Sequence, residues 1–123
     1  MKNLTVEQSH HERQANSSIP LIDVRTPAEY GSLHAESAQS HPMESLDIGN
    51  FPFSKDQEIH VICQSGGRSM KVCQKLESAG FERVVNVEGG TSAWDGAGLP
   101  VIAGKKAMSL ERQVRIAAGA LVV

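Results

Sequence analysis

Two cysteines, Cys63 and Cys73, are all that this 123-residue chain contains. That excludes a disulfide framework, for which a small secreted domain needs several pairs, and fits a reducing compartment. A compact cysteine and histidine pattern is missing too, so the five histidines suggest no zinc and neither a metal nor a cofactor is expected. The N-terminal MKNLTVEQSHHERQ has no apolar run, which excludes an ordinary secretory signal. Charge of one sign is short as well. Twelve Lys and Arg against fourteen Asp and Glu leave a net charge of -2, which provides no basic field for nucleic acid. The length suits one hydrophobic core and is too short for two comfortable ones.

What is present alternates between strand and helix. LTVEQ suggests a short helix with Thr5 as cap and Gln8 reaching back, and the polar SHHERQANSS then leads away from it. IPLIDV, residues 19–24, is an apolar run of strand length; Thr26 is a cap candidate behind it and Pro27 suits the first helical position. PMESLD offers one or two helical turns. EIHVIC, residues 58–63, leaves little exposed face and predicts an interior strand of a parallel sheet. From Ser69 to Ala79, Val72, Cys73, Leu76 and Ala79 share one helical face, and Gly80 ends the helix. VVNVEGG predicts a third strand, TSAWDGAG a short helix with Trp94 inward, and LPVIAGK an extended segment. The expected fold is a single α/β domain, a mostly parallel central sheet with helices on both faces.

The informative stretch is CQSGGRS, residues 63–69. A strand ends at Cys63 and a helix begins near Ser69, so QSGGR must connect them, and Gly66 and Gly67 allow the positive φ that a tight curl requires. Successive N–H groups then point inward as an anion nest, the helix start adds partial positive charge, and Arg68 offers a bidentate guanidinium. Cys63 is therefore the candidate nucleophile, and Gln64, Ser65, Gly66, Gly67, Arg68 and Ser69 are the candidate substrate-binding residues. The same field is expected to lower the thiol pKa from about 8.5. Phosphate, arsenate and thiosulfate all present anionic oxygens, and charge does not choose among them. Loop length favours sulfur: a tyrosine phosphatase loop is one residue longer between cysteine and arginine, and the smaller ring suits a terminal sulfur bonded to Cys63.

These residues carry a resemblance. LIDVRTPAEY at 21–30, CQSGGRS at 63–69 and EGGTSAWDGAGLPV at 88–101 resemble the rhodanese sulfurtransferase domain in order and spacing. The resemblance implies that Cys63 accepts a sulfane sulfur as a persulfide and passes it on, with Gln64 to Ser69 as the amide loop. The implied partners are a small anionic sulfur donor and a cyanide or thiol acceptor, including a protein sulfur carrier. One segment departs from the family's usual histidine, isoleucine, proline, glycine, alanine: here it is HAESA at 34–38. Asp23 and Arg25 follow the first strand and are expected to support the site, the aspartate holding the loop backbone and the arginine pairing with Glu29 across one turn. Cys73 is expected in the core, with a resolving thiol as the alternative. His10 and His11 are expected in solvent.

The rivals are a cysteine-dependent phosphatase or arsenate reductase, with Asp23 or Asp95 as a weak acid candidate, and a non-catalytic redox or interaction module. The end of the chain raises a separate question. SLERQVRIAAGALVV, residues 109–123, is uncharged after Arg115, and its last eight residues cannot cross a bilayer that needs about 20. One reading is a helix docked on the domain or on a second copy. The favoured one is the start of a membrane helix, with Arg112 and Arg115 as the cytoplasmic flank, because SLERQVRIAAG resembles the segment joining a rhodanese domain to membrane helices in one bacterial subgroup. On that reading residues 1–108 form the domain, tethered at the cytoplasmic face of the inner membrane.

Overall fold

The computed structural model describes residues 1–104. The helix expected at 109–123 and the boundary at 108 lie outside them. In chain order the elements are β1 (Lys2–Leu4), α1 (Val6–Ala15), β2 (Leu21–Asp23), α2 (Pro27–Ser32), β3 (Leu33–Ala35), β4 (Gln39–Ser40), β5 (Glu58–Ile62), α3 (Gly67–Ser78), β6 (Arg83–Val87), α4 (Gly90–Gly96) and β7 (Val101–Ala103). Strands run β1-β6-β5-β2-β4 across the main sheet, with every pairing parallel. β5 sits between β6 and β2, as its continuous apolar run predicts. β3 and β7 form a separate antiparallel pair.

Side chains on consecutive strand residues enter opposite faces of the sheet. On one face Ile22, Ile59, Val61, Cys63 and Val84 pack with Val72, Cys73 and Leu76 of α3. Leu21, Ile62 and Val87 meet Val6 of α1 and Trp94 of α4 on the other. Helices thus cover both faces, and the C-terminal ends of β2 and β5 open side by side where a parallel sheet places its functional crevice. Among the described residues no helix is long and apolar enough to cross a membrane.

Several local expectations hold and several do not. Thr5 with Gln8 and Thr26 with Glu29 both form capping boxes, and Pro27 starts α2. The first helix, however, runs on through SHHERQA instead of stopping after LTVEQ. Its polar run is anchored from outside the helix: Ser9 is buried with its Oγ 2.6 Å from His60 Nδ1, and Arg13 donates to the Ile19 carbonyl. His10 is half-buried with its ring edge-on to Trp94, so only His11 is solvated as expected. PMESLD gives a single 3-10 turn at Met43–Ser45, followed by another at Ile48–Asn50. α3 starts two residues before Ser69, because Gly66 at φ 114° caps it in the left-handed region. Gly80 at φ 100° closes it, with the Phe81 N–H donating to the Leu76 carbonyl. In HAESA, Ser37 holds φ 72°, a left-handed conformation at the place where the resembling pattern has glycine.

Candidate active site

Cys63 follows β5 on the α3 face and is almost wholly buried, with 1% of its surface exposed. The Gly66 N–H donates to its Sγ at 3.0 Å. The N–H groups of Ser65 and Ser69 and the Ser69 hydroxyl also face the sulfur. Burial alone would push this thiol up, but those hydrogen bonds outweigh it and hold the pKa below the ordinary cysteine value. Of the two glycines expected to curl the loop, only Gly66 takes a positive φ.

The curl is enforced from outside by the start of α4. Thr91 donates to the Cys63 carbonyl through its N–H at 2.8 Å and its hydroxyl at 3.1 Å, and the Ser92 N–H donates to the Gln64 carbonyl at 3.1 Å. A trans peptide sets its C=O and N–H on opposite sides, so drawing the Gln64 carbonyl toward α4 turns the Ser65 N–H back to the sulfur. The approach requires glycine at 90. Its φ is 61°, and a Cβ there would lie 2.4 Å from the Cys63 oxygen and 2.6 Å from the Gln64 oxygen. Gly90, Thr91 and Ser92 shape the site although sequence reasoning used GGTS only as part of a resemblance; the doubled glycine before a short helix was the available signal.

Asp23 and Arg25 lie together, but not as expected. Arg25 turns away from Glu29 and donates to Asp23 through Nε at 3.0 Å and Nη2 at 2.9 Å, both side chains being buried. Its remaining donors reach Gln64 Oε1 at 3.1 Å and the Leu33 carbonyl at 2.6 Å. Asp23 therefore reaches the loop through Arg25 and the Gln64 side chain, not by holding the backbone. A buried aspartate next door outcompetes a half-exposed glutamate for the guanidinium, since an unpaired charge at Asp23 would be far more costly.

Glu29 is left for Arg68. The Arg68 fork, expected to receive an anion, closes on this carboxylate at 2.8 and 2.9 Å. That pairing, before any other cause, lowers the Glu29 pKa to about 2. An unfolded glutamate titrates near 4.3, so the pair stabilises the fold fully above that pH and loses its effect as the pH falls through about 2. Both side chains are about one-third exposed, which limits the contribution to less than about 1 kcal/mol. Glu29→Gln keeps an acceptor for the Thr26 N–H. Its deficit in urea unfolding relative to wild type should be visible at pH 6 and close by about pH 2; a deficit unchanged at pH 2 would assign it to something other than the ion pair.

A thiol ringed by amides at the end of an inner parallel strand can now be compared with known proteins. The family description "Rhodanese-like domain" matches residues 6–97. The chain belongs to the rhodanese-like family. Over 112 residues it is 41% identical to the uncharacterized protein slr1261 of Synechocystis, covering 90% of this chain and 62% of that protein, so it spans under two-thirds of that relative. Over 104 residues it is 36% identical to a sulfurtransferase of Allochromatium vinosum, covering 84% of this chain and 97% of that one. A rhodanese-like domain protein of Staphylococcus aureus superposes with TM-score 0.70 at 32% identity, covering 76% of this chain and 91% of the solved one.

Two further groups in this rhodanese-like domain bear on its chemistry. Cys73 lies buried in the core on α3, and burial pushes its thiol up to about 12. His60 belongs to a group that the missing cysteine and histidine pattern did not suggest: its ligand atom and those of Glu58 and Glu12 all lie within 4.8 Å of one another. Strand alternation puts Glu58 on the His60 face, and the longer α1 delivers Glu12 to it. His60 is satisfied by Ser9 and Glu58, while Arg83 pairs with Glu58 and Lys2 with Glu12. The group is an ion-pair network tying α1, β5 and β6 together.

Proposed function

We propose that this domain is a sulfurtransferase that carries sulfane sulfur as a persulfide on Cys63. The observation that carries the reading is the cup itself: N–H groups converge on one sulfur, while the only arginine of the loop is paired with Glu29. A persulfide bears a single negative charge on a small terminal atom, which amide dipoles stabilise well. The phosphatase reading needs an acid for the leaving group; Asp23 is buried against Arg25, and Asp95 is exposed on α4.

Transfer proceeds in two balanced steps. The Cys63 thiolate attacks the outer sulfur of thiosulfate, a sulfur–sulfur bond forms, and the bond to the sulfonate sulfur breaks with its electron pair leaving as sulfite. In the second step an acceptor attacks the outer sulfur of the Cys63 persulfide. Cyanide leaves as thiocyanate and the Cys63 thiolate is restored; a thiol acceptor, including one on a sulfur-carrier protein, takes the sulfur in the same way. The lowered thiol pKa favours the thiolate that makes this attack.

Steady-state assays of thiocyanate formation from thiosulfate and cyanide test the reading. The two half-reactions predict parallel double-reciprocal lines, since sulfite departs before cyanide reacts. Intersecting lines would point to direct transfer without a carrier cysteine. Turnover of a phosphoryl ester or arsenate with no sulfur transfer would overturn the proposal.

A further inference from the structure

Beneath the loop a buried polar chain continues from Ser69 to Asn86 and Asn3, two residues that the sulfur transfer described above does not use. Ser69 is fully buried and Asn86, on β6, is 2% exposed. Asn86 is the register partner of Val61, two residues before Cys63 and on the same side of β5, so its carboxamide reaches the underside of the loop. Ser69 Oγ lies 2.5 Å from Asn86 Oδ1 and 3.1 Å from the Gly66 carbonyl, and it also faces Cys63 Sγ. Asn86 Nδ2 in turn donates to Asn3 Oδ1 at 3.1 Å.

A serine hydroxyl has one proton and three acceptors here, Asn86 Oδ1, the Gly66 carbonyl and Cys63 Sγ, so it cannot serve them all. We propose that Asn86 is a positioning residue whose side-chain amide, by turning over, decides whether the Ser69 proton is given to Asn86 or to the reacting sulfur. In the sense shown by the distances above, the chain runs from Ser69 to Asn86 to Asn3, and the free lone pairs of Ser69 Oγ can accept the S–H of a neutral thiol. In the reversed sense Asn3 Nδ2 donates to Asn86 Oδ1, Asn86 Nδ2 donates to Ser69 Oγ, and the Ser69 hydroxyl donates to the thiolate or persulfide. The amide oxygen and nitrogen have nearly the same size, so the turn needs no extra space. Asn3 is exposed on the edge strand β1, so water satisfies its outer end in either sense. No proton enters or leaves the chain; only its direction changes.

This explains why an amide suits position 86. A carboxylate there could only accept, and would hold the Ser69 proton away from sulfur; an aliphatic residue would leave a buried hydroxyl without its partner. Among the described residues, the other charged or titratable groups around Cys63 are Arg68 with Glu29 and Glu44 beside it, the Asp23–Arg25 pair behind Gln64, and Cys73 on α3. The Asn86 amide is hydrogen-bonded to Ser69 and Asn3 and to none of these groups, so a change at 86 that moves the thiol acts through Ser69.

The inference rests on Cys63 being the reacting group, but its test needs no sulfur donor. Iodoacetamide alkylation of Cys63 is followed against pH in wild type, Asn86→Ala, Ser69→Ala and the double variant. Asn86→Ala removes the Nδ2 donor that turns the Ser69 proton toward sulfur and leaves the hydroxyl on the Gly66 carbonyl, and Ser69→Ala removes the proton itself, so each single change should raise the apparent thiol pKa by about one unit, cutting alkylation about tenfold at pH values below it, and the double variant should match Ser69→Ala. An Asn86→Ala profile like wild type, or a shift just as large in the Ser69→Ala background, overturns the proposal. Should Asn86→Ala not fold, the wild-type side-chain NH2 resonances of Asn86 decide: they should titrate together with Cys63 and be flat in Cys63→Ser. Flat resonances in wild type across the Cys63 titration overturn it as well. Failure of thiocyanate formation with the relay intact would instead count against the sulfur donor proposed for the site.

Discussion

Replacing Cys63 with serine should reduce thiocyanate formation from thiosulfate and cyanide by at least about 10⁴-fold while leaving the protein folded. A serine hydroxyl fits the same place and can still accept the Gly66 N–H that now reaches Sγ. It is not ionised at neutral pH and forms no persulfide, so both half-reactions are lost together. Circular dichroism melts of the variant check that the loss is chemical. Cys73→Ala is the matched control: its thiol is held near 12 and its sulfur packs in the core beside Val72 and Leu76, so it should lose about 1–2 kcal/mol of stability and keep its turnover. If Cys73→Ala were inactive and Cys63→Ser active, the assignment of the nucleophile would be reversed.

Gly90→Ala should be nearly as damaging, through the backbone instead of the nucleophile. Alanine at φ 61° costs on the order of 1–3 kcal/mol by itself. The new Cβ would also press on the Cys63 and Gln64 carbonyls at 2.4 and 2.6 Å, so α4 must withdraw and release the bonds from Thr91 and Ser92. With those carbonyls free, the Ser65 N–H no longer has a reason to face the sulfur. The expected result is a loss of about 2–4 kcal/mol in urea unfolding, together with a raised thiol pKa in the folded protein. Gly96→Ala on the same helix serves as contrast: nothing lies within 4 Å of a Cβ there, so it should be neutral or stabilising by up to about 1 kcal/mol. Equal effects at 90 and 96 would mean that the close approach of α4 does not shape the loop.

The parts of this molecule written in local sequence were legible, and those made by distant partners were not. β5 announces itself because five successive residues include Ile59, Val61 and Ile62 and the strand is buried on both faces. Thr5, Thr26 and Gly80 mark helix ends through bonds to residues at most five away. β1 is different. It has three residues with only Leu4 buried, and it is a strand because the free edge of β6 accepts it. α1 likewise outruns its pattern because Ser9 finds His60, 51 residues away.

The site divides along the same line. Cys63, the glycine after it and the start of α3 are contiguous, so their chemistry could be argued from CQSGGRS alone. The partners of its arginines could not. Glu29 stands four residues after Arg25 and looks like its mate, yet Arg68 arrives from 39 residues away to take it, and Asp23 takes Arg25 at a separation of two. Asn86 gave no signal as a site residue and Gly90 only that of a doubled glycine, because each acts on the loop across 17 residues or more, through a contact that only the folded sheet creates.

The most direct measurement of the central claim is the intact mass of the reduced protein before and after thiosulfate, and again after cyanide. Wild type should gain about 32 Da, localised to Cys63 by peptide mapping, and lose it to cyanide with release of thiocyanate. An unchanged mass in protein whose Cys63 is demonstrably reduced and alkylatable would contradict a persulfide formed from thiosulfate at this site.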